Sequence, residues 1–185
     1  MLGASWDGPR PRQCGAMRAT LQPGGSFPDI ALPDHDGVVR TLSELTAGDP
    51  LIRHFYRGWF CPKERAWLPE LLALAERAEV AYTAVASVSV EPPPVQAAVR
   101  AGLGARWPFL SDEHRSAQGE LDLLEHTDTV HHPYVPTVFV LFPDLTVHAV
   151  YNGYWFWGRP CVADLWRDLR EVTRRVRTDW QVPAP

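Results

Sequence analysis

The sequence predicts an α/β fold in which a central mixed β-sheet is flanked by helices, with an extra β segment at its N-terminal side. Two patterns predict it. In the first half, strand-like apolar runs alternate with helical stretches, which implies parallel pairing through helical crossovers. In the second half, two strand candidates joined by a turn are followed by a cleanly periodic helix. Composition agrees: 185 residues, 45% apolar and 22% charged, suit one domain with an ordinary core.

The elements follow in order. Residues 1–24 carry Gly, Pro, Arg and Ser and read as a flexible N-terminal extension; Met17 is a candidate alternative start. Residues 25–178 form the predicted domain and 179–185 a tail. Phe27 to Leu32 is extended, Asp36-Gly37 turns, and Val38 to Leu42 is a short strand before a helical turn capped by Ser43. Leu51 to Tyr56 is a strand, and a helix runs from Pro62 to about Ala78. Proline suits a first helical position because its missing N–H has no partner there in any case. Trp67, Leu68, Leu71, Leu72 and Ala75 make that helix's apolar stripe, and Pro69 inside it is expected to kink it.

Val80 to Val90 reads as a strand, Val95 to Ala101 as a short helix, Phe109 to Asp112 as a short strand or turn, and His114 to Leu124 as another helix. Thr137 to Phe142 and Val147 to Tyr151 form an antiparallel pair across Pro143-Asp144. In the last helix Val162, Leu165, Trp166, Leu169, Val172 and Val176 recur at three- and four-residue spacing.

The net charge of −4 and the lack of a dense basic cluster argue against nucleic-acid binding. No run is long and apolar enough to span a membrane, and no apolar signal region opens the chain. Lys63 is the only lysine, a bias that reflects nucleotide composition rather than function. The three cysteines, Cys14, Cys61 and Cys161, are too few and odd in number for a disulfide framework; they fit a reducing, cytoplasmic compartment.

Cys61 is the residue placed for chemistry. It directly precedes the first long helix, where backbone N–H groups are unpaired and the macrodipole is positive. Such a position, or a nearby cation, lowers a cysteine pKa from about 8.5 to roughly 3.5–7.5 and supplies the reactive thiolate. Arg57 and Arg65 flank it, while Glu64 opposes the effect unless it pairs with an arginine and orients it.

Gly25 to Leu32 is similar to the opening of the alkyl hydroperoxide reductase/thiol-specific antioxidant (redoxin) family of peroxiredoxins. Phe55-Tyr56-Arg57-Gly58-Trp59-Phe60-Cys61-Pro62 resembles that family's F-x-R-G-x-W-C-P segment. Val135-Pro136-Thr137 resembles the cis-proline loop of the thioredoxin fold, and Pro69 its helix proline. The resemblance implies a thioredoxin-like fold over residues 25–178. It implies that Cys61 attacks a peroxide, passes through a sulfenic acid and is recycled by an external thiol, with no cofactor and no metal. It assigns Arg57 first and Arg159 second as the arginine serving the departing oxygen, and it places a cis Pro136 beside Cys61 with the Val135 backbone free to pair with an extended thiol substrate.

Two departures stand out. Many relatives have a second cysteine where this chain has Glu64. The P-x-x-x-T/S-x-x-C pattern is also broken, because its proline and hydroxyl positions are His54 and Gly58. The alternatives are therefore a single-cysteine thiol–disulfide oxidoreductase and a non-catalytic binding or sensing module of the same fold. Cys161 is the only internal cysteine to consider as a partner, and its place before the last helix argues against pairing.

Other constellations are weaker. His126, His131 and His132 match no metal-ligand spacing and read as a solvated loop. Tyr151, Tyr154, Trp155, Phe156 and Trp157 could line a pocket, cover the core or form an interface, which makes a homodimer reasonable. Arg53 and His54 interrupt a strand that should be buried on both faces, so they must be paired or near the surface. An arginine-assisted thiolate needs no base, so His54 is not assigned as one.

Overall fold

The computed structural model describes residues 18–153 and 159–178. Cys14, Met17, the tail 179–185 and four of the five clustered aromatics (Tyr154, Trp155, Phe156 and Trp157) lie outside the described residues.

Strands β1 (Ala31–Pro33) and β2 (Val39–Thr41) form a small antiparallel pair, followed by α1 (Leu42–Thr46). Then come β3 (Leu51–Phe55), α2 (Pro62–Glu79), β4 (Ala84–Ser89), α3 (Pro93–Leu103), β5 (Phe109–Ser111) and α4 (Ser116–Leu121). The hairpin β6 (Thr137–Leu141) and β7 (Val147–Asn152) leads to α5 (Val162–Val176). The main sheet has the order β5-β4-β3-β6-β7. β3 pairs parallel with β4 and antiparallel with β6, so it is central and its backbone is satisfied on both edges. This is the mixed, thioredoxin-like sheet the element order predicts.

Strand alternation divides the core. Leu51 and Phe55 of β3 face one layer, with Phe27, Leu110, Phe139 and Tyr134. Ile52 and Tyr56 face the other, against Leu68, Leu71 and Leu74 of α2 and Leu165, Leu169 and Val172 of α5. Leu68, Leu71 and Leu74 are almost wholly buried, and such burial stabilises by about 2 kcal/mol per side chain.

Several boundaries differ from expectation for identifiable reasons. Order begins before residue 25: Leu21 is buried in the core and the Gly24 N–H bonds the Val147 carbonyl at 2.8 Å, so residues 18–24 are not a free extension. Thr41, not Ser43, caps α1, in a capping box with Glu44, while Ser43 bonds Asp29. The strand expected from Val80 starts only at Ala84, because α2 runs on to Glu79 and Tyr82 turns with φ +54°. α3 is longer than expected, since Pro93 and Pro94 occupy its first turn without losing a helical hydrogen bond. α4 is shorter: the Asp112 carboxylate accepts from the Ala117 and Gln118 N–H groups at its start, and Asp122 with φ +55° ends it. α2 passes through Pro69 without a break.

The cis bond expected at Pro136 is absent; the described residues contain no cis peptide. The segment is an extended lead into β6. The Val135 N–H donates to the Leu123 carbonyl at 2.7 Å and the Val135 carbonyl accepts from Thr137 Oγ1 at 3.0 Å. The Pro136 carbonyl accepts from the Gly153 N–H at 2.7 Å. These groups are consumed inside the fold, so the Val135 backbone is not free for a substrate strand.

Candidate active site

Cys61 is the N-cap residue of α2, in extended conformation, with Pro62 following it. Its carbonyl accepts from the Arg65 N–H at 3.2 Å, and its own side chain makes no capping bond. The thiol is therefore left at the helix start without a helical duty. It is buried, and both Cys61 and Cys161 are free thiols.

Three elements converge on it. Glu64, one turn into α2, is fully buried. Arg159 arrives from the segment before α5, which is anchored where Trp67 Nε1 donates to the Pro160 carbonyl at 3.2 Å. Arg159 Nε donates to Glu64 Oε2 at 3.1 Å and its Nη2 to Glu64 Oε1, a bidentate pair. The same Nη2 stands 4.0 Å from Cys61 Sγ, and Nη1 is buried with no hydrogen-bond partner among the described residues. Glu64 Oε1 also accepts the Arg57 backbone N–H at 3.0 Å. Burial pushes the Glu64 carboxyl up; the attraction of His54, the charge of Arg159 and the Arg57 N–H outweigh it and hold the carboxyl below its ordinary range.

The contact with the sulfur comes from Arg159, the arginine expected second, while the Arg57 guanidinium bonds Asp128 through Nη2 at 2.6 Å and keeps a buried Nε with no hydrogen-bond partner among the described residues. Asp128 also accepts the Val130 and His131 N–H groups, and the His131 ring stacks on Phe60 with centroids 3.8 Å apart. The 126–132 segment is thus fastened over the Cys61 turn. Burial raises the Asp128 carboxyl, but these backbone N–H groups and His131 prevail and bring it to about 2. Arg65 is exposed and Pro136 is buried at the strand start. Among the described residues, no group of three or more His, Cys, Asp or Glu could hold a metal ion.

Gly58, the position where the resemblance leads one to expect a hydroxyl, has φ +129°. A Cβ there would lie 2.9 Å from Phe60 Cε1 and 3.0 Å from the Glu91 carboxyl. Glu91 fills this space and accepts the Trp59 N–H at 3.0 Å. Burial drives its carboxyl above the ordinary range. A cavity of about 340 Å³ lined by Tyr82, Trp166 and Leu169 lies beyond the N-terminal ends of β3 and β4, at the opposite end of those strands from Cys61.

Sequence reading named Cys61, Glu64 and Arg159, and the fold brings all three together. It missed Asp128 and Glu91, which lie 71 and 32 residues from their partners Arg57 and Trp59 and carry no local signal. It set His54 aside, although two polar residues in a central strand were a visible anomaly.

A thioredoxin-like sheet with a cysteine at the N-cap position of its first long helix is an arrangement suited to thiol-based redox chemistry. Residues 23–150 match the AhpC/TSA family, and the chain belongs to that family of peroxiredoxin-like enzymes. The fold is also that of the Mycobacterium tuberculosis peroxidoxin BcpB, at 23% identity and TM-score 0.72 over 85% of this chain and 99% of that one. A cysteine-to-serine mutant of Arenicola marina peroxiredoxin 6 is similar at 15% identity and TM-score 0.73, over 88% and 81%. The yeast mitochondrial 1-Cys peroxiredoxin gives 15% and 0.68, over 89% and 84%. No curated protein matches in sequence. Among the described residues no helix is long and apolar enough to cross a membrane.

Proposed function

We propose that Cys61 reduces a peroxide as a single-cysteine thiol peroxidase. The thiolate attacks one peroxide oxygen: an S–O bond forms, the O–O bond breaks, and the departing alkoxide or hydroxide takes a proton from water. Cys61 is oxidised to a sulfenic acid and the peroxide is reduced to an alcohol or water. One external thiol then displaces the hydroxyl as water and forms a mixed disulfide. A second releases Cys61 and leaves as a disulfide with the first.

The observation that carries this reading is the Arg159 guanidinium, 4.0 Å from Sγ, at the N-terminus of α2. It offers positive charge where the thiolate sits, and its unpaired Nη1 is a donor for the oxygen on which charge develops. Glu64 orients it. External recycling suits a chain whose described cysteines are a buried Cys61 and an exposed, unpaired Cys161, and such thiols suit a reducing, cytoplasmic compartment.

The test is mass spectrometry after one equivalent of peroxide, with Cys61→Ser as control. Oxidation by one oxygen confined to Cys61 supports the reading, and slow, equal oxidation of all cysteines rejects it. The filled space at Gly58 favours one rival, a sensing module of the same fold that has lost turnover. That rival predicts sulfenylation at Cys61 no faster than in a free thiol.

A further inference from the structure

His54 sits in the middle of the sheet. It lies opposite Ser87 of β4 and Val138 of β6, and its side chain points toward α2, 1% exposed. The ring packs against Tyr56 and Trp67 at centroid distances of 5.3 and 4.9 Å. Burying an imidazole there costs free energy unless its nitrogens are used.

The hydrogen-bond network fixes how they are used. Nδ1 lies 3.2 Å from Ser87 Oγ. Trp107 Nε1 donates to the same oxygen at 3.0 Å, and an indole can only donate. Ser87 is fully buried, so its single proton needs an acceptor, and His54 Nδ1 is the one beside it. Ser87 therefore donates to Nδ1, which assigns the ring proton to Nε2. That Nε2–H has no hydrogen-bond partner among the described residues; the polar atom it approaches is Glu64 Oε2, at 3.8 Å. Glu64 holds Arg159, and Arg159 reaches Cys61.

One guanidinium thus faces both the Glu64 carboxylate and the Cys61 sulfur. A donor that satisfies Glu64 from its other side leaves more of the Arg159 field for the sulfur. We propose that His54 is a positioning residue for Cys61: held in its Nε2–H form by Ser87 and Trp107, it steadies Glu64 and so sets how strongly Arg159 serves the thiolate. This rests on the reading of Cys61 as the reactive thiol.

The charged groups around the ring are Glu64 from α2, Arg159 from the segment before α5 and Arg53 from its own strand. Burial keeps the imidazole below its ordinary value; Glu64 opposes this, while Arg159 and Arg53 add to it. The ring is therefore neutral near pH 7 and acts through its N–H rather than through charge.

The first test is the ¹⁵N spectrum of His54 in the full-length protein. Nε2–H is expected at neutral pH, and an Nδ1–H form or an imidazolium overturns the proposal. Ser87→Ala should release the ring toward Nδ1–H. The second test is the pH at which alkylation of Cys61 by iodoacetamide reaches half its limiting rate. His54→Phe keeps a ring but no donor, and should move that midpoint up by about half a pH unit or more, roughly a threefold loss of rate at neutrality. His54→Gln keeps an N–H donor and should recover at least half of the shift. Adding Ser87→Ala to His54→Phe should have no further effect. An unmoved midpoint in a His54→Phe protein with a native circular dichroism spectrum refutes the relay. If His54→Phe does not fold, the wild-type tautomer still decides. Absent peroxide reactivity with an Nε2–H ring and a shifted His54→Phe midpoint would sink the peroxidase reading alone.

Discussion

Arg159 Nη2 lies 4.0 Å from the sulfur of Cys61, a residue 98 positions earlier in the chain. The same guanidinium grips Glu64 through both Nε and Nη2, so the arginine is fixed by a carboxylate that is itself fully buried. Arg57, only four residues before Cys61, bonds Asp128 through its Nη2.

This difference in partners makes the two arginines separable. Arg159→Lys should slow peroxide reduction about 10²–10³-fold, the loss expected when a donor to the developing charge is displaced. Arg57→Ala should slow it less than about fivefold, because its tie to Glu64 is through backbone. Stopped-flow tryptophan fluorescence on both variants measures this, and equal losses would refute the assignment.

Glu64 should mark the acid limit of stability. Its folded carboxyl lies below the ordinary range, so its contribution is present above the unfolded value of about 4.3 and is lost as pH falls through the folded one. Glu64→Ala leaves Arg159 with an uncompensated buried charge and should cost about 3–5 kcal/mol at pH 7. Urea unfolding at pH 7 and pH 3 checks both points: the gap between wild type and variant should narrow at the lower pH.

Restoring a hydroxyl at Gly58 should fail. Gly58→Ser meets a φ of +129° and a Cβ position within 3.0 Å of Phe60 and Glu91. The strain is worth about 1–3 kcal/mol, and no gain in peroxide rate is expected. Thermal unfolding and peroxide kinetics together decide; a stable, faster variant would contradict the geometry.

Arg53 is fully buried, and none of its three guanidinium nitrogens has a hydrogen-bond partner among the described residues. Its contacts are the Phe55 ring at 5.2 Å and the field of the Tyr134–Asp112 pair. Burial disfavours its charge, and the Tyr134–Asp112 pair opposes this. Arg53→Met should stabilise the protein at pH 7 by about 1–3 kcal/mol, since an unpaired buried charge is exchanged for a hydrophobe. Denaturant unfolding of both proteins at pH 7 tests it, and a less stable variant would contradict the reading.

The local signals proved dependable where one segment contains the whole cause. The Pro62 helix start, the apolar stripe of α2 and the three- and four-residue repeat of α5 reappear as the elements that pack on the sheet. Helix boundaries moved where a side chain from elsewhere capped a turn, as Asp112 does for α4. Around Pro136 the neighbouring backbone groups are claimed by Leu123, Thr137 and Gly153, partners that only the folded chain supplies.

By itself the sequence determined the order of elements and the placing of Cys61 at a helix start, because periodicity and capping act between near neighbours in the chain. Tertiary structure alone decided that Arg159 reaches the sulfur, that Asp128 is Arg57's partner, and that His54 stands behind Glu64. Those contacts join residues that folding brings side by side, and the charge of a buried group is settled by whichever partners arrive there.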